Sequence, residues 1–177
     1  MFTELNNLKL FFEEPNREFH LRELARLMKR NPVTVKKYLE DSIKQNILRC
    51  RKERGLELYS SNTEDFYYKE YKKIYNRLKF IESGLLDYLK EEFSLPTIML
   101  FGSYARGEDN KNSDVDVFIL SEVKKTPDLS NFEKKITRTI QVHIFNRKGF
   151  EAAKKTNKEL INNITNGTIL HGFIEVL

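Results

Sequence analysis

The chain has 177 residues, 40% of them apolar and 32% charged, with a formal net charge of +5, a length that suits one large domain or two small ones. The single cysteine, Cys50, excludes an internal disulfide and a cysteine-based zinc cluster. The first ten residues lack the order of a signal peptide and no apolar run approaches the roughly 20 residues that span a bilayer, so a soluble, cytoplasmic protein with no membrane contact is expected.

Charge is distributed unevenly. Over residues 22–54, eleven Lys and Arg stand against four Asp and Glu, a balance of +7 that leaves −2 for the rest of the chain. A basic segment in a near-neutral protein points to a polyanionic partner, with a solvated surface as the alternative.

In chain order, residues 5–12 place Leu5, Leu8, Leu10, Phe11 and Phe12 on one broad helical face, which Pro15 and Asn16 terminate. Residues 20–29 repeat Leu21, Leu24, Ala25, Leu27 and Met28 at helical spacing. Asn31 is a good N-cap, and Pro32 at the first helical position loses no hydrogen bond. A third helix is therefore predicted over 32–45, burying Val33 or Val35 with Tyr38, Leu39 and Ile43, and Asn46 can take the left-handed conformation that ends it. Two strand-like runs, 47–52 and 56–60, are joined by Glu53-Arg54-Gly55 as a hairpin turn.

Helix, helix, turn, helix, hairpin resembles the winged helix-turn-helix family over residues 8–61. The resemblance implies a DNA partner, with Asn31, Thr34, Lys36 and Lys37 at the recognition helix and Arg51, Lys52 and Arg54 on the wing. A winged helix used for protein contacts or dimerisation is the alternative.

Residues 62–93 read as helical. Tyr67, Tyr71, Ile74, Leu78, Ile81, Leu85 and Tyr88 recur at alternating spacings of four and three, which is a heptad seam. Packing against the chain itself is the preferred reading, and a homodimer seam is the alternative. Gly84 is placed to divide the stretch into a connecting helix and a second helix of the next domain.

From Ser94 onward the texture is α/β. Strands are predicted at 97–101, 115–120 and 140–145, helices at 148–155 and 158–166, and a final strand within 168–177. The strongest chemical signal lies between the first two strands. A strand ends at Phe101, Gly102 lets backbone approach a ligand, and Ser103 opens a short helix whose unpaired N–H groups favour a phosphate. Asp114 and Asp116, at i and i+2 at the head of the next strand, project their carboxylates to one face. Two like charges so close call for a cation, and Mg²⁺ (or Mn²⁺), held by one or two carboxylates plus substrate phosphates, is the natural candidate.

This segment resembles the nucleotidyltransferase fold shared with DNA polymerase beta, and specifically the minimal nucleotidyltransferases of the MNT antitoxin type. Their signature of Gly-Ser, ten residues, then Asp-x-Asp is matched by Gly102-Ser103 and Asp114-x-Asp116. The resemblance, over about residues 85–177, implies ATP or another nucleoside triphosphate as substrate. It also implies two divalent ions on the catalytic pair Asp114 and Asp116, with phosphates at Gly102 and Ser103. Arg106 is placed to steady a phosphate or to form a structural salt bridge. The family often pairs with a small helical toxin, on which it can adenylylate a tyrosine. One departure stands out: the third carboxylate is expected at or near Gln141, which is neutral, while His143 follows on the same strand face. A neutral ligand there weakens the metal that activates the nucleophile.

The expected organisation is α+β in two domains: a winged helix over 1–61, a connecting helix over 62–84, and a nucleotidyltransferase-fold domain with a small mixed sheet over 85–177. The expected function is transfer of a nucleoside monophosphate to an acceptor, coupled to DNA binding. A transcription regulator that senses nucleotide with a catalytically weak domain is the alternative.

Overall fold

The computed structural model describes the backbone of residues 2–174 and the side chains of residues 5–174. Two compact units divide the chain at the middle of its longest helix, Met1–Tyr75 and Asn76–Leu177. No helix among the described residues is long and apolar enough to cross a membrane.

The first unit runs α1 (Phe2–Glu13), β1 (Phe19–His20), α2 (Leu21–Leu27), α3 (Pro32–Lys44), β2 (Leu48–Glu53), β3 (Leu56–Ser61) and the first half of α4 (Phe66–Glu82). Its antiparallel sheet has the order β1-β3-β2. The two-residue β1 is too short for any period to reveal; it forms because Phe19, fully buried, packs edge-on against Phe11 at 5.2 Å between ring centroids. At the start of α3 the Asn31 side chain accepts from Val33 N–H at 2.8 Å, a cap that stabilises by about 1 kcal/mol. Of the two valines weighed for that helix, Val35 is buried and Val33 is 78% exposed. Asn46 does end the helix with a positive φ of 60°. The hairpin closes on Arg54 and Gly55, with φ of 49° and 81°, the doubly left-handed turn whose twist matches two-residue hairpins. Tyr68 Oη and Ser61 Oγ both donate to the Phe11 carbonyl, at 3.0 and 2.9 Å, and so satisfy the buried end of α1.

The heptad reading needs correction. In α4 the buried side chains are Tyr68, Lys72 and Tyr75 in the first unit and Asn76 and Phe80 in the second. Tyr67, Ile74 and Ile81 of the predicted seam are 57%, 45% and 39% exposed. Periodicity identifies an apolar stripe; which stripe is covered depends on neighbours distant in sequence, and here the adjacent face won. The predicted break at Gly84 is present, with α4 ending at Glu82 and α5 (Leu85–Glu92) starting after it.

The second unit continues with β4 (Thr97–Phe101), α6 (Gly102–Arg106), β5 (Val115–Leu120), α7 (Ser130–Ile136), β6 (Ile140–Phe145), α8 (Arg147–Thr156), α9 (Lys158–Thr165) and β7 (Thr168–His171). Helix α7 carries no strong apolar repeat, and its sequence does not predict a helix. The final strand covers only the first part of the predicted 168–177 stretch, and residues 175–177 lie outside the described residues. The mixed sheet has the order β6-β5-β4-β7, with β4 antiparallel to β5 and β7 and with β5 parallel to β6. Both faces are covered, so β4 is apolar at successive positions rather than alternately. Ile98, Leu100, Val115, Val117 and Ile119 join Phe80, Leu85, Leu89 and Ile136 on one face. Met99, Phe101 and Phe118 join Phe150 of α8 and Ile164 of α9 on the other. Asp114 and Asp116 continue the Phe118 side of β5 toward the strand's N-terminal end.

Candidate functional site

The antiparallel register pairs Phe101, the last residue of β4, with Asp116. Gly102 follows with φ of +71°, and a Cβ built on it would lie 2.2 Å from Asp116 Oδ2. No larger residue fits between the turn and the carboxylate, which explains the glycine by both conformation and space. Gly102 and Ser103 open the single turn of α6, and Phe101 supplies no side-chain cap to it. A glycine turn, the uncapped start of a short helix and a carboxylate thus converge on one point.

The parallel register sets Gln141 opposite Asp116, and Gln141 Nε2 donates to Asp114 Oδ2 at 2.6 Å. The residue at the expected third-carboxylate position is therefore a donor that clamps Asp114. His143 Nε2 is buried, makes no hydrogen bond, and stands 3.8 Å from Asp116 Oδ1. Its ring meets Phe101 edge-on at 5.1 Å between centroids, which holds it there. Burial pushes the Asp116 carboxyl above its usual range, helped by the charge of Asp114 and opposed by His143 and Arg106.

Whether these residues fit a divalent cation can be judged from the donors. Among the described residues no group of three or more His, Cys, Asp or Glu is arranged to hold a metal. Asp114 and Asp116 offer two hard carboxylates beside the uncapped start of α6. That set suits a divalent ion shared with a phosphate-bearing ligand, rather than a self-sufficient cage.

The raised Asp116 pKa has a pH consequence. A carboxyl that binds its proton more tightly in the folded state adds stability below the unfolded pKa, and this is lost as pH rises through the folded pKa. A cation competes with that proton and reverses the preference. Divalent affinity, followed by Mn²⁺ titration calorimetry, should therefore keep rising with pH above the ordinary aspartate range. A plateau already reached at the ordinary value would contradict this account.

Arg106 lies in α6, and its Nε bonds Glu108 Oε2 at 2.8 Å, the salt-bridge option of the two open from sequence. A network not foreseen from sequence holds the loop after α6. Asn76 Nδ2 donates to the Tyr104 carbonyl at 2.8 Å and to Asp109 Oδ1 at 2.7 Å, and all three residues are buried. The one hint is that Asn76 falls four residues before Phe80 on the same helix face.

In the first unit, Asn31, Thr34, Lys36 and Lys37 are exposed around the start of α3, although the Asn31 oxygen is committed to its cap. Lys52 and Arg54 are exposed on the hairpin. Arg51 differs from them. Its guanidinium bonds both oxygens of Glu18 at 2.6 Å and Glu53 at 2.7 Å, and it holds the Glu18 carboxyl below its usual range. A phosphate would have to displace those carboxylates.

A turn-strand arrangement of this form, on a mixed sheet covered by helices, defines an α+β domain. The family model of the nucleotidyltransferase domain matches residues 82–171, half of the chain, and the chain belongs to this family. Nucleotidyltransferases in general act on nucleoside triphosphates with divalent metals. Three curated proteins of Methanocaldococcus jannaschii, each named "Putative protein adenylyltransferase", are similar over 44 residues, at 46%, 39% and 43% identity. That segment is 25% of this chain and 49%, 44% and 43% of the respective relatives, so the match spans about half of their length. No solved structure matches the chain.

Proposed function

We propose that the second unit transfers a nucleoside monophosphate, AMP from ATP, to a hydroxyl of an acceptor protein, and that the first unit is a winged helix that binds DNA. The observation that carries the transferase reading is the close approach of Gly102 to Asp116, which sets a turn without a side chain against one of two neighbouring carboxylates. In the proposed division, residues 1–61 form the winged helix, 62–84 the connecting helix and 85–177 the catalytic domain.

In this reading Asp114 and Asp116 hold Mg²⁺ or Mn²⁺, which when bound neutralises charge on the triphosphate and polarises the α-phosphoryl group. Gly102 and Ser103 present backbone N–H groups to the phosphates. Gln141 fixes one oxygen of Asp114 and leaves the other facing the ligand. Arg106, paired with Glu108, adds positive potential near Asp116. The acceptor oxygen bonds to the α-phosphorus while the bond to the bridging oxygen breaks. Pyrophosphate leaves with the electron pair, and the hydroxyl proton passes to water. Incubation with labelled ATP, divalent cation and candidate acceptors tests this; no labelled product from any protein acceptor would refute it. A small helical toxin is the proposed acceptor, and the names of the relatives, protein adenylyltransferases, support a protein rather than a small molecule.

A second reading is favoured by one specific contact. The Gln141–Asp114 hydrogen bond stands where a third carboxylate would activate the nucleophile. A regulator that senses nucleotide with little or no turnover would show divalent-dependent nucleotide binding without labelled product.

For the first unit, the order of elements and the exposed Lys36, Lys37, Lys52 and Arg54 support DNA contact. DNA affinity should fall steeply with salt, because each neutralised phosphate releases counterions. The Lys36→Ala/Lys37→Ala double variant should reduce the slope of log affinity against log salt by about 2. A flat salt response in the wild-type protein would contradict the assignment. The exposed Phe66, Tyr67 and Ile74 support a homodimer.

A further inference from the structure

The ten residues between Ser103 and Asp114 run through α6 and return to the sheet by a loop, and one side chain of α4 holds that span at two points. Asn76 is 3% exposed, and both N–H bonds of its amide are used. Nδ2 donates to the Tyr104 carbonyl at 2.8 Å and to Asp109 Oδ1 at 2.7 Å. In return Tyr104 Oη donates to the Asn76 carbonyl at 3.2 Å, so α4 and α6 are joined in both directions. The first acceptor is a carbonyl of a helix only five residues long, and the second lies in the loop that leads to Asp114. A buried amide needs hydrogen-bond partners wherever it sits. Packing alone does not require those partners to lie on two parts of the same span.

We infer that Asn76 is a positioning residue for the nucleotide: it fixes α6, and with it the backbone after Gly102, relative to the Asp114 and Asp116 pair. The inference rests on the nucleotidyl-transfer reading above. The two parts of the site are held differently. Asp116 is paired on both sides within the sheet, with Phe101 on β4 and Gln141 on β6, and Asp114 is gripped by Gln141. Neither carboxylate needs Asn76. Helix α6 has a single turn and no side-chain cap at its start, too short to persist by its own hydrogen bonds. Its Tyr104 carbonyl and its buried Tyr104 hydroxyl are both tied to Asn76. The loop that follows is braced within itself: Asn110 N–H donates to Ser113 Oγ and Asn112 N–H to Asn110 Oδ1, both at 2.9 Å. Asp109 is where that braced loop meets α4. Without the amide the carboxylates stay in place and α6 shifts. A ligand that spans both, with phosphates at the turn and a cation on the carboxylates, then loses affinity. A cation alone does not.

The test titrates the full chain by calorimetry with Mn²⁺ alone, and with a non-hydrolysable ATP analogue in the presence of Mn²⁺. Asn76→Ala should weaken analogue binding by about tenfold and change Mn²⁺ affinity by less than about twofold. Tyr104→Phe keeps the ring and removes only the 3.2 Å bond, and it should weaken the analogue by about threefold. This milder variant decides the matter if Asn76→Ala does not fold. The exchange Asn76→Asp/Asp109→Asn restores a donor and acceptor between those two positions but leaves the Tyr104 carbonyl without its amide. It should regain thermal stability relative to Asn76→Ala yet bind the analogue no better, a split that a purely structural role does not produce. Wild-type analogue affinity in Asn76→Ala or Tyr104→Phe, equal losses of Mn²⁺ and analogue affinity, or analogue affinity recovered in the exchange would each overturn this inference alone. No binding of the analogue by the wild-type protein would overturn the transferase reading, and this inference with it.

Discussion

Replacing Asp116 by alanine or asparagine is expected to abolish divalent-dependent nucleotide binding and to lower transfer by about a hundred- to a thousandfold, while leaving the fold at least as stable as the wild type. The two halves of this expectation have one cause. Burial holds the Asp116 carboxyl above its usual range, so an ionised carboxylate there is a cost to the apo fold. A neutral amide of the same shape removes that cost, and with it a charge that a cation and developing phosphoryl charge require. Transfer of label from ATP reports the first half, and urea denaturation at neutral pH reports the second. A variant that loses stability along with activity would mean that Asp116 is structural. Asp114→Asn should weaken binding too, but Gln141 Nε2 then faces an amide that cannot accept through both atoms, so its effect mixes chemistry with packing.

The second large effect is expected at Gly102. Alanine there must adopt a φ of +71° and place its Cβ 2.2 Å from Asp116 Oδ2, so either the turn or the carboxylate moves. Backbone strain alone costs about 1 kcal/mol. Displacement of Asp116 should in addition lower Mn²⁺ and nucleotide affinity by more than about tenfold, since binding groups this close tolerate little misplacement. Gly55→Ala separates the two effects. Gly55 has a comparable φ of +81° and nothing within 4 Å of its built Cβ, so it should lose stability without any change in Mn²⁺ affinity. Equal affinities in the Gly102 and Gly55 variants would refute a ligand-facing role for the cradle.

Much of the second unit was legible because its signals are local. A strand that ends in Gly-Ser, and a second strand headed by Asp-x-Asp, are contiguous patterns whose physical meaning does not depend on distant residues. The break at Gly84 and the capped start of α3 were readable for the same reason: one residue's backbone preference or one side-chain oxygen decides them. What escaped was non-local. Strand β1 is two residues long and exists through Phe19 packing on Phe11. Helix α7 has only Ile136 buried along its length, too little for a period to emerge. The Asn76–Asp109–Tyr104 network joins residues 33 and 28 positions apart, and nothing near any of them announces the others.

By itself the sequence determined the two strands and the turn that present Gly102, Ser103, Asp114 and Asp116, because chain direction and side-chain alternation are local consequences of residue type. It also determined the basic character of the first unit. Only tertiary structure decided that Tyr67 and Ile74 face solvent while Tyr68 and Tyr75 are buried, since both stripes satisfy a helical period and coverage is settled by the partner surface. Only the parallel register of β5 with β6 decided that Gln141 grips Asp114, because strand pairing is set by the burial of Ile140 and Val142 against a core assembled from elements far along the chain.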